Sequence, residues 1–183
     1  MTKSLFSSYE NELEYIERLL QEDIRNNSAW NQRFFIVTTF HIKEDPNKDK
    51  ETTFSISRPI ISGNVLEREL QFTLTAIKKV SRNESSWNYL RGLINHCSDN
   101  EVDSLKSKIY SFCMEMQKEG NTSPYLLSTI IDLDKDEGLK NKDVAKLENA
   151  IQLCNSLANE YDVIRKEYWN YIAKTIHTQI ASF

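Results

Sequence analysis

Apolar residues recur along most of this chain at the three- and four-residue spacings of amphipathic helices. Leu13, Ile16 and Leu20 form one such stripe, and Leu66 and Leu70 begin another, each with charged side chains between them. Only four glycines and three prolines interrupt the chain, which favours helices with short connections over a sandwich of many strands. The pattern therefore predicts an all-α protein.

The stripes and the polar breaks between them predict four helical hairpins. They cover about residues 8–40, 64–97, 101–137 and 142–179. A stretch rich in Lys, Asp, Glu and Thr separates the first two, and we predict an exposed insertion loop over 41–63. Because hairpins of this kind stack on their neighbours, we expect a right-handed α-α superhelix, a solenoid of about four hairpins, forming a single domain over 1–183.

Polar residues ahead of the apolar stripes predict where several helices begin. Ser28 is the expected N-cap of the second helix in the first hairpin, and Ser85 or Ser86 that of its counterpart in the second. Asn64 has Glu67 three residues later, the spacing of a capping box.

The first two hairpins are copies of each other at an offset of 57 residues. Glu12 and Trp30 recur as Glu69 and Trp87, and further identities between the copies include Asn26 with Asn83, Ser28 with Ser85 and Asn31 with Asn88. A fixed internal period predicts stacked units that share one core. That core is expected to hold the tryptophans Trp30, Trp87 and Trp169.

Two further residue types stand out beside the tryptophans. Arg33 lies one turn after Trp30 and can direct its planar guanidinium at a carboxylate or at carbonyl groups, either inside the solenoid or on a partner. Asn26 and Asn83 are suited to satisfying backbone groups in the turns between paired helices.

Composition excludes several classes of function. A net charge of −4 and a pI near 5.5 give no electrostatic case for nucleic acid. The longest apolar stretch, Phe34–Val37, is too short to span a membrane, and residues 1–4 lack the apolar segment of a secretory signal. The cysteines Cys97, Cys113 and Cys154 are odd in number and form no CxxC pair, which indicates no disulfide framework and a cytoplasmic location.

No motif predicts catalysis or metal binding by this chain. His96, Cys97 and Cys113 match no zinc spacing. The acidic segment 132–138 lacks the glycine and glutamate that a calcium loop requires at its sixth and twelfth positions. No GxSxG, GxGxxG or P-loop pattern occurs. We therefore expect no catalytic residue and no metal ligand.

Three strings of residues resemble the repeats of protein prenyltransferase α subunits. Residues 25–33, Arg-Asn-Asn-Ser-Ala-Trp-Asn-Gln-Arg, fit that family's Asn, small residue, Trp, two spacers and Arg. Residues 83–92, which contain Ser-Trp-Asn-Tyr-Leu-Arg-Gly, resemble a later repeat, and residues 153–169, which end in Ile-Arg-Lys-Glu-Tyr-Trp, resemble the C-terminal segment. Their order is similar to that of the α subunit shared by farnesyltransferase and type I geranylgeranyltransferase. The α subunit of the Rab-specific prenyltransferase looks less similar in the last two strings.

The resemblance implies a subunit of an enzyme that transfers farnesyl or geranylgeranyl from its diphosphate to a C-terminal cysteine of CaaX-type proteins. In that family the β subunit supplies the zinc and the lipid pocket, so this chain is expected to bind no cofactor and to embrace the β subunit. The turns between paired helices line the surface that wraps the β subunit, which implies an interface at Asn26, Asn31, Arg33, Asn83, Asn88 and Tyr89.

The chain departs from the family pattern in two ways. Leu90 occupies the slot where the repeat carries arginine. The Lys-Asn-Tyr and Asn-Tyr-His stretches of the family's earlier repeats, which reach the prenyl diphosphate and the active site, have no counterpart. The resemblance therefore implies a C-terminal half that is inactive alone. The alternative is a non-catalytic helical-repeat scaffold that binds another protein.

Overall fold

The computed structural model describes residues 2–40 and 59–183, with side chains from Asn11 onward. The prediction of an all-α protein is confirmed, since these ranges contain no β-strand. Eight α-helices fall within them: α1 (Thr2–Glu22), α2 (Asn27–Phe40), α3 (Gly63–Lys79), α4 (Glu84–Asn95), α5 (Val102–Lys118), α6 (Pro124–Asn141), α7 (Val144–Ser156) and α8 (Lys166–Ile180). Taken in order, the helices lie within the ranges predicted for the four hairpins, whereas the pairing of α5 with α6 stays a prediction.

The chain divides into two compact units, residues 1–105 and 106–183, with the division inside α5. In the first unit α1 packs on α2, α3 on α4, and α2 on α4. In the second, α7 packs on both α6 and α8. The single domain expected over residues 1–183 stays a prediction.

Each unit has an apolar interior built from the predicted stripes. In the first unit Ile16, Leu70, Ile77, Trp30 and Trp87 are almost fully buried. In the second, the side chains with the least exposure include Ile109, Cys113, Leu126, Ile130, Leu147, Cys154, Leu157 and Ile176. The burial of Trp30 and Trp87, and of Trp169 in α8, confirms that all three tryptophans belong to the core.

The predicted N-caps are wrong by two or three residues. Asn26 Oδ1 accepts from Ala29 N at 3.1 Å, so it caps α2 in place of the exposed Ser28. Asn83 caps α4 by accepting from Ser85 N at 3.3 Å. Both copies thus use the asparagine that precedes the serine.

The segment leading into α3 also differs from its prediction. Most of the expected insertion loop, residues 41–58, lies outside the described residues. The remainder is packed: Ile61 is fully buried and donates its N–H to His96 O at 2.9 Å. No capping box forms at Asn64, because α3 has already begun at Gly63 with Ser62 at its N-cap.

The link between α7 and α8 has an irregular backbone. A π-helical turn, Leu157–Tyr161, and a 3-10 turn, Val163–Arg165, separate the two helices. Asp162 Oδ2 accepts from Trp169 Nε1 at 2.7 Å and from Arg165 Nε at 2.6 Å, so one carboxylate fixes the start of α8. Within residues 2–40 and 59–183, no helix is both long and apolar enough to cross a membrane.

Candidate functional site

A groove runs between the second helices of the two repeats, and we call it the α2–α4 groove. It encloses a cavity of about 150 Å³ and is lined by Asn27, Trp30, Asn31, Phe34, Ser85, Asn88, Tyr89 and Gly92. Because the two helices occupy the same place in each copy, equivalent side chains such as Asn31 and Asn88 face one cavity.

The rim of the groove is polar and its floor is aromatic. Asn31 and Asn88 are exposed, and Ser85 Oγ donates to Asn27 Oδ1 at 3.1 Å across the two helices. Below the rim, the Tyr89 ring centroid lies 5.2 Å from that of Trp30 and 5.6 Å from that of Phe34, both in edge-on arrangements. The groove therefore offers amide hydrogen-bonding groups above a rigid apolar base.

Gly92 permits the close approach of the two helices. A Cβ atom at this position would lie 2.4 Å from Phe34 Cε2, well inside van der Waals contact. The Phe34 ring occupies that space and also packs edge-on against His96, with centroids 5.3 Å apart. A small residue is thus required here by packing.

Beneath the groove lies a buried ion pair that joins the two repeats. Arg33 Nε donates to Glu69 Oε2 at 2.6 Å and Arg33 Nη2 to Glu69 Oε1 at 3.1 Å, the bidentate geometry that suits guanidinium and carboxylate. Both side chains are almost completely inaccessible. Tyr89 Oη also donates to Glu69 Oε2, at 2.7 Å, and Arg33 Nη1 donates to the half-exposed Glu17 at 3.0 Å.

The pair keeps both of its members charged. Burial alone would raise the pKa of Glu69, but the adjacent Arg33 charge and its hydrogen bonds hold that pKa below its ordinary value. Burial opposes the charge on Arg33 as well, yet the Glu69 carboxylate raises the pKa of Arg33 above its ordinary value. Burial and the negative charge of Glu69 together raise the pKa of Tyr89, which remains a neutral hydrogen-bond donor.

The turns that precede α2 and α4 have the same hydrogen bonds. Trp30 Nε1 donates to Ile24 O at 2.8 Å, and Trp87 Nε1 donates to Ser81 O at 2.8 Å, six residues earlier in both cases. Asn83 Nδ2 also donates to Ile24 O at 2.8 Å, which ties the second turn to the first. The recurring tryptophan and asparagine therefore hold these turns closed and in register.

The structure divides the six predicted interface residues into two groups. Arg33, Asn83 and Tyr89 are buried, and their polar groups bond to this chain, where they join the two repeats; their predicted interface role stays a prediction. Asn26 is partly buried and caps α2. Asn31 and Asn88 are exposed on the groove rim, where an interface role stays a prediction.

Sequence reasoning missed the acidic partner of Arg33. Of the acidic residues in α3, all of which the structure describes, Glu69 alone is completely buried. A signal was available, since Glu12 and Glu69 are identical acidic residues at the 57-residue offset, each next to a leucine of the apolar stripe. Such a recurring carboxylate is a natural partner for the arginine that lies one turn after Trp30.

No group of three or more His, Cys, Asp or Glu side chains able to hold a metal ion occurs in residues 2–40 and 59–183. Cys97, Cys113 and Cys154 are all buried and none is in a disulfide. Burial raises the pKa of the Cys113 and Cys154 thiols to about 12, so both are uncharged thiols near neutral pH.

The repeat geometry agrees with a known sequence family. The sequence pattern of the protein prenyltransferase alpha subunit repeat family matches residues 9–40 and 66–97. These are the two hairpins that the Arg33–Glu69 pair joins. Residues 9–40 and 66–97 are thus two copies of the protein prenyltransferase alpha subunit repeat. The resemblance seen in the first two strings, residues 25–33 and 83–92, is thereby confirmed.

Similar proteins extend the match beyond the two repeats. A Pisum sativum protein named protein farnesyltransferase/geranylgeranyltransferase type-1 subunit alpha is 34% identical over 88% of this chain and 47% of its own length. A Dictyostelium discoideum protein of the same name is 28% identical over 96% of this chain and 47% of its own length. The chain thus spans about half the length of the curated relatives it matches.

The fold is also found in a solved structure. A chain in the structure of Candida albicans protein geranylgeranyltransferase-I complexed with GGPP superposes with a TM-score of 0.67 and 22% identity, covering 96% of this chain and 51% of that one. This likeness confirms the predicted fold class, a superhelix of α-helical hairpins.

Proposed function

We propose that this chain is the α subunit, or the C-terminal part of one, of a heterodimeric protein prenyltransferase. The enzyme would attach farnesyl or geranylgeranyl from its diphosphate to a C-terminal cysteine of CaaX-type proteins. The observation that carries the proposal is the match to relatives named as type-1 α subunits over 88–96% of the chain, including both repeat hairpins.

In this proposal the chain embraces and stabilises the β subunit through the rim of the α2–α4 groove. Asn31 and Asn88 suit that role because each carboxamide carries both donors and an acceptor and is already exposed. The Glu69 carboxylate of α3 accepts from Arg33 of α2 and from Tyr89 of α4, so the two groove helices and their asparagines are held at a constant separation before binding. Pre-organisation of this kind reduces the entropy lost on association.

Zinc, the prenyl diphosphate and the CaaX substrate would act in the complex and not on this chain alone. We expect the zinc on the β subunit, no cofactor on this chain, and no transferase activity from the chain alone. A cytoplasmic location is part of the proposal and is supported by three buried cysteines without a disulfide.

Co-expression with a type-1 β subunit from the same organism tests the proposal. We expect a 1:1 complex by size-exclusion chromatography with light scattering, and a β subunit that is more soluble than when expressed alone. A chain that stays monomeric beside a folded β subunit would contradict the proposal and favour the helical-repeat scaffold.

Charge placed on the groove rim tests the proposed contact. Asn31→Lys and Asn88→Lys change exposed side chains, so the fold should survive while the affinity for the β subunit falls at least about tenfold, as expected where a lysine is buried unpaired in an interface. Gln152→Lys is the matched control, because Gln152 is exposed on α7 and far along the chain from the groove. Equal affinities of all three variants for the β subunit would show that the groove is not part of the interface.

A further inference from the structure

A second cavity lies in the first compact unit, between α1 and α3, and we call it the α1–α3 cavity. Its volume is about 670 Å³, against about 150 Å³ for the α2–α4 groove. A volume of this size is enough to enclose a drug-sized molecule. The lining residues come from 17–25, at the end of α1 and in the turn after it, from 71–80 in α3, and from Trp30.

The way the two repeats pack explains this opening. The second helices, α2 and α4, pack closely, whereas the first helices, α1 and α3, pack less closely over their described residues. Arg33 of α2 lies between α1 and α3, bonded to Glu17 of the one and to Glu69 of the other. The first helices are therefore held at a fixed spacing, and the space beside the arginine stays open.

The floor of the cavity is apolar, and its aromatic rings are already fixed. Trp30 and Ala76 are buried, and Phe72 is half-buried beside them. Trp30 Nε1 donates to Ile24 O at 2.8 Å, and the centroid of its ring lies 5.6 Å from that of Phe72. The Arg33 guanidinium lies over the Phe72 ring, with Cζ 3.8 Å from the ring centroid. Because both rings are held in place, a ligand would not have to order them on binding.

The charged side chains around the cavity balance one another. Glu17 is bonded to Arg33 at 3.0 Å, so its charge is already matched. The other charged residues of the lining are exposed and comprise two acids and two bases, Glu22, Asp23, Arg25 and Lys79. A charged ligand would lose hydration on entering without meeting a surplus of the opposite charge. The cavity therefore favours a molecule that carries no net charge.

We propose that the α1–α3 cavity binds an uncharged aromatic small molecule, whose rings pack against Trp30 and Phe72. The affinity comes from apolar surface of the ligand and of the cavity floor that leaves water together. The site uses none of the groove-rim asparagines, since neither Asn31 nor Asn88 lines this cavity. It stands whether or not the chain acts as a prenyltransferase subunit.

Two dyes that differ by a single charge test the proposal. N-phenylnaphthylamine is uncharged, and anilinonaphthalenesulfonate has the same ring system with a sulfonate added. The fluorescence of both dyes rises in an apolar site. We expect the uncharged dye to bind saturably, with one molecule per chain, and at least about tenfold more tightly than the sulfonate, because the sulfonate loses hydration without gaining a partner.

A substitution at the mouth of the cavity and a matched control locate the site. Thr75 lines the cavity, Thr178 lies on α8, and both are exposed threonines whose hydroxyls donate to the carbonyl four residues earlier. Thr75→Phe places a ring in the cavity mouth and should weaken binding of the uncharged dye at least about tenfold, since it removes volume from the site. Thr178→Phe should leave the affinity unchanged. Thermal melts of both variants check that the fold survives.

NMR of the alanine methyl groups gives a readout that needs no substitution in the site. Ala76 lies in the cavity floor, and Ala150 is buried in α7, in the second compact unit. Because an aromatic ring shifts the signals of nearby nuclei only, the uncharged dye should move the Ala76 methyl signal and leave that of Ala150 in place.

Several results would overturn the proposal. The absence of saturable binding by the uncharged dye would mean that the cavity is not a ligand site. Tighter binding of the sulfonate would mean that the site selects anions. Equal affinities of Thr75→Phe and Thr178→Phe for the uncharged dye would place it elsewhere on the chain. Movement of both alanine signals would mean that the dye enters a loosened core and not this cavity.

Discussion

Arg33 has two carboxylate partners that differ chiefly in burial. Glu69 is inaccessible, whereas the Glu17 side chain is 43% exposed. Removing one partner of a buried pair leaves an uncompensated charge, so we expect Glu69→Gln to lower the free energy of unfolding by about 3 kcal/mol. Glu17→Gln should cost less than about 1 kcal/mol, because water screens that contact. Urea titrations of the two variants measure both values, and equal costs would contradict the assigned burial.

The lowered pKa of Glu69 predicts how stability depends on pH. Its contribution is fully present above the carboxyl's ordinary pKa of 4.5 and is lost as the pH falls through the lower value of the folded state. The difference in urea midpoint between the wild type and Glu69→Gln should therefore be large at pH 7 and shrink below pH 4.5. A difference that stays constant down to acid pH would show that the carboxylate is not stabilised by folding.

Gly92 and Phe34 form a pair whose coupling has a predictable sign. Gly92→Ala should destabilise the protein by about 1–2 kcal/mol, since displacing the packed Phe34 ring outweighs the better helix propensity of alanine. In a Phe34→Ala background the obstruction is gone, and the same change should stabilise by about 0.5–1 kcal/mol. Thermal melts of the wild type, the two single variants and the double variant complete a double-mutant cycle. A Gly92→Ala change that destabilises the protein in both backgrounds would contradict this packing explanation.

At the scale of elements, the two inter-helix turns differ in what their asparagines bond. The Asn83 side chain caps α4 and also donates to Ile24 O, whereas the Asn26 side chain caps α2 by accepting from Ala29 N. We expect Asn83→Ala to lower the free energy of unfolding by about 2 kcal/mol, because it removes both the cap and the hydrogen bond to Ile24 O. Asn26→Ala removes only a cap and should lower it by about 1 kcal/mol. Ser28→Ala should be nearly neutral by chemical denaturation. A large effect at Ser28 would restore it as the cap.

The helices themselves were accessible from the sequence because their signals are local. Apolar spacing placed the helices, and the offset of 57 residues identified the repeat before any contact was known. The caps were missed because asparagine and serine have similar capping preferences and lie two or three residues apart, so a small difference in where the helix begins decides between them. Ile61 was missed because the packing of residues 59–62 on the end of α4 depends on contacts distant in sequence.

The candidate site was predicted only in part for a related reason. The repeat pattern singled out Asn31, Arg33, Asn88 and Tyr89, but not whether each side chain faces solvent or the neighbouring repeat. That choice depends on how α2 meets α4, which Gly92 and the Glu69 carboxylate determine. A polar residue that recurs in a repeat is therefore as consistent with contacts between repeats as with a partner surface.

At the scale of the whole molecule, buried thiols report whether the chain unfolds as one domain. Cys97 lies in the first compact unit, and Cys113 and Cys154 lie in the second. Because burial raises the pKa of Cys113 and Cys154 to about 12, neither reacts with a thiol reagent near neutral pH until its surroundings open. Labelling followed by peptide mass spectrometry measures the opening rate at each site.

Cys113 and Cys154 should react at one shared rate, since they belong to the same compact unit. If residues 1–183 form the single domain predicted from the repeat pattern, Cys97 should also react at that rate, and Glu69→Gln should accelerate all three equally. If Glu69→Gln accelerates Cys97 alone, the loss of the buried pair opens residues 1–105 separately, and the chain is two cooperative units. The variant with the largest expected local effect thus also tests the domain prediction.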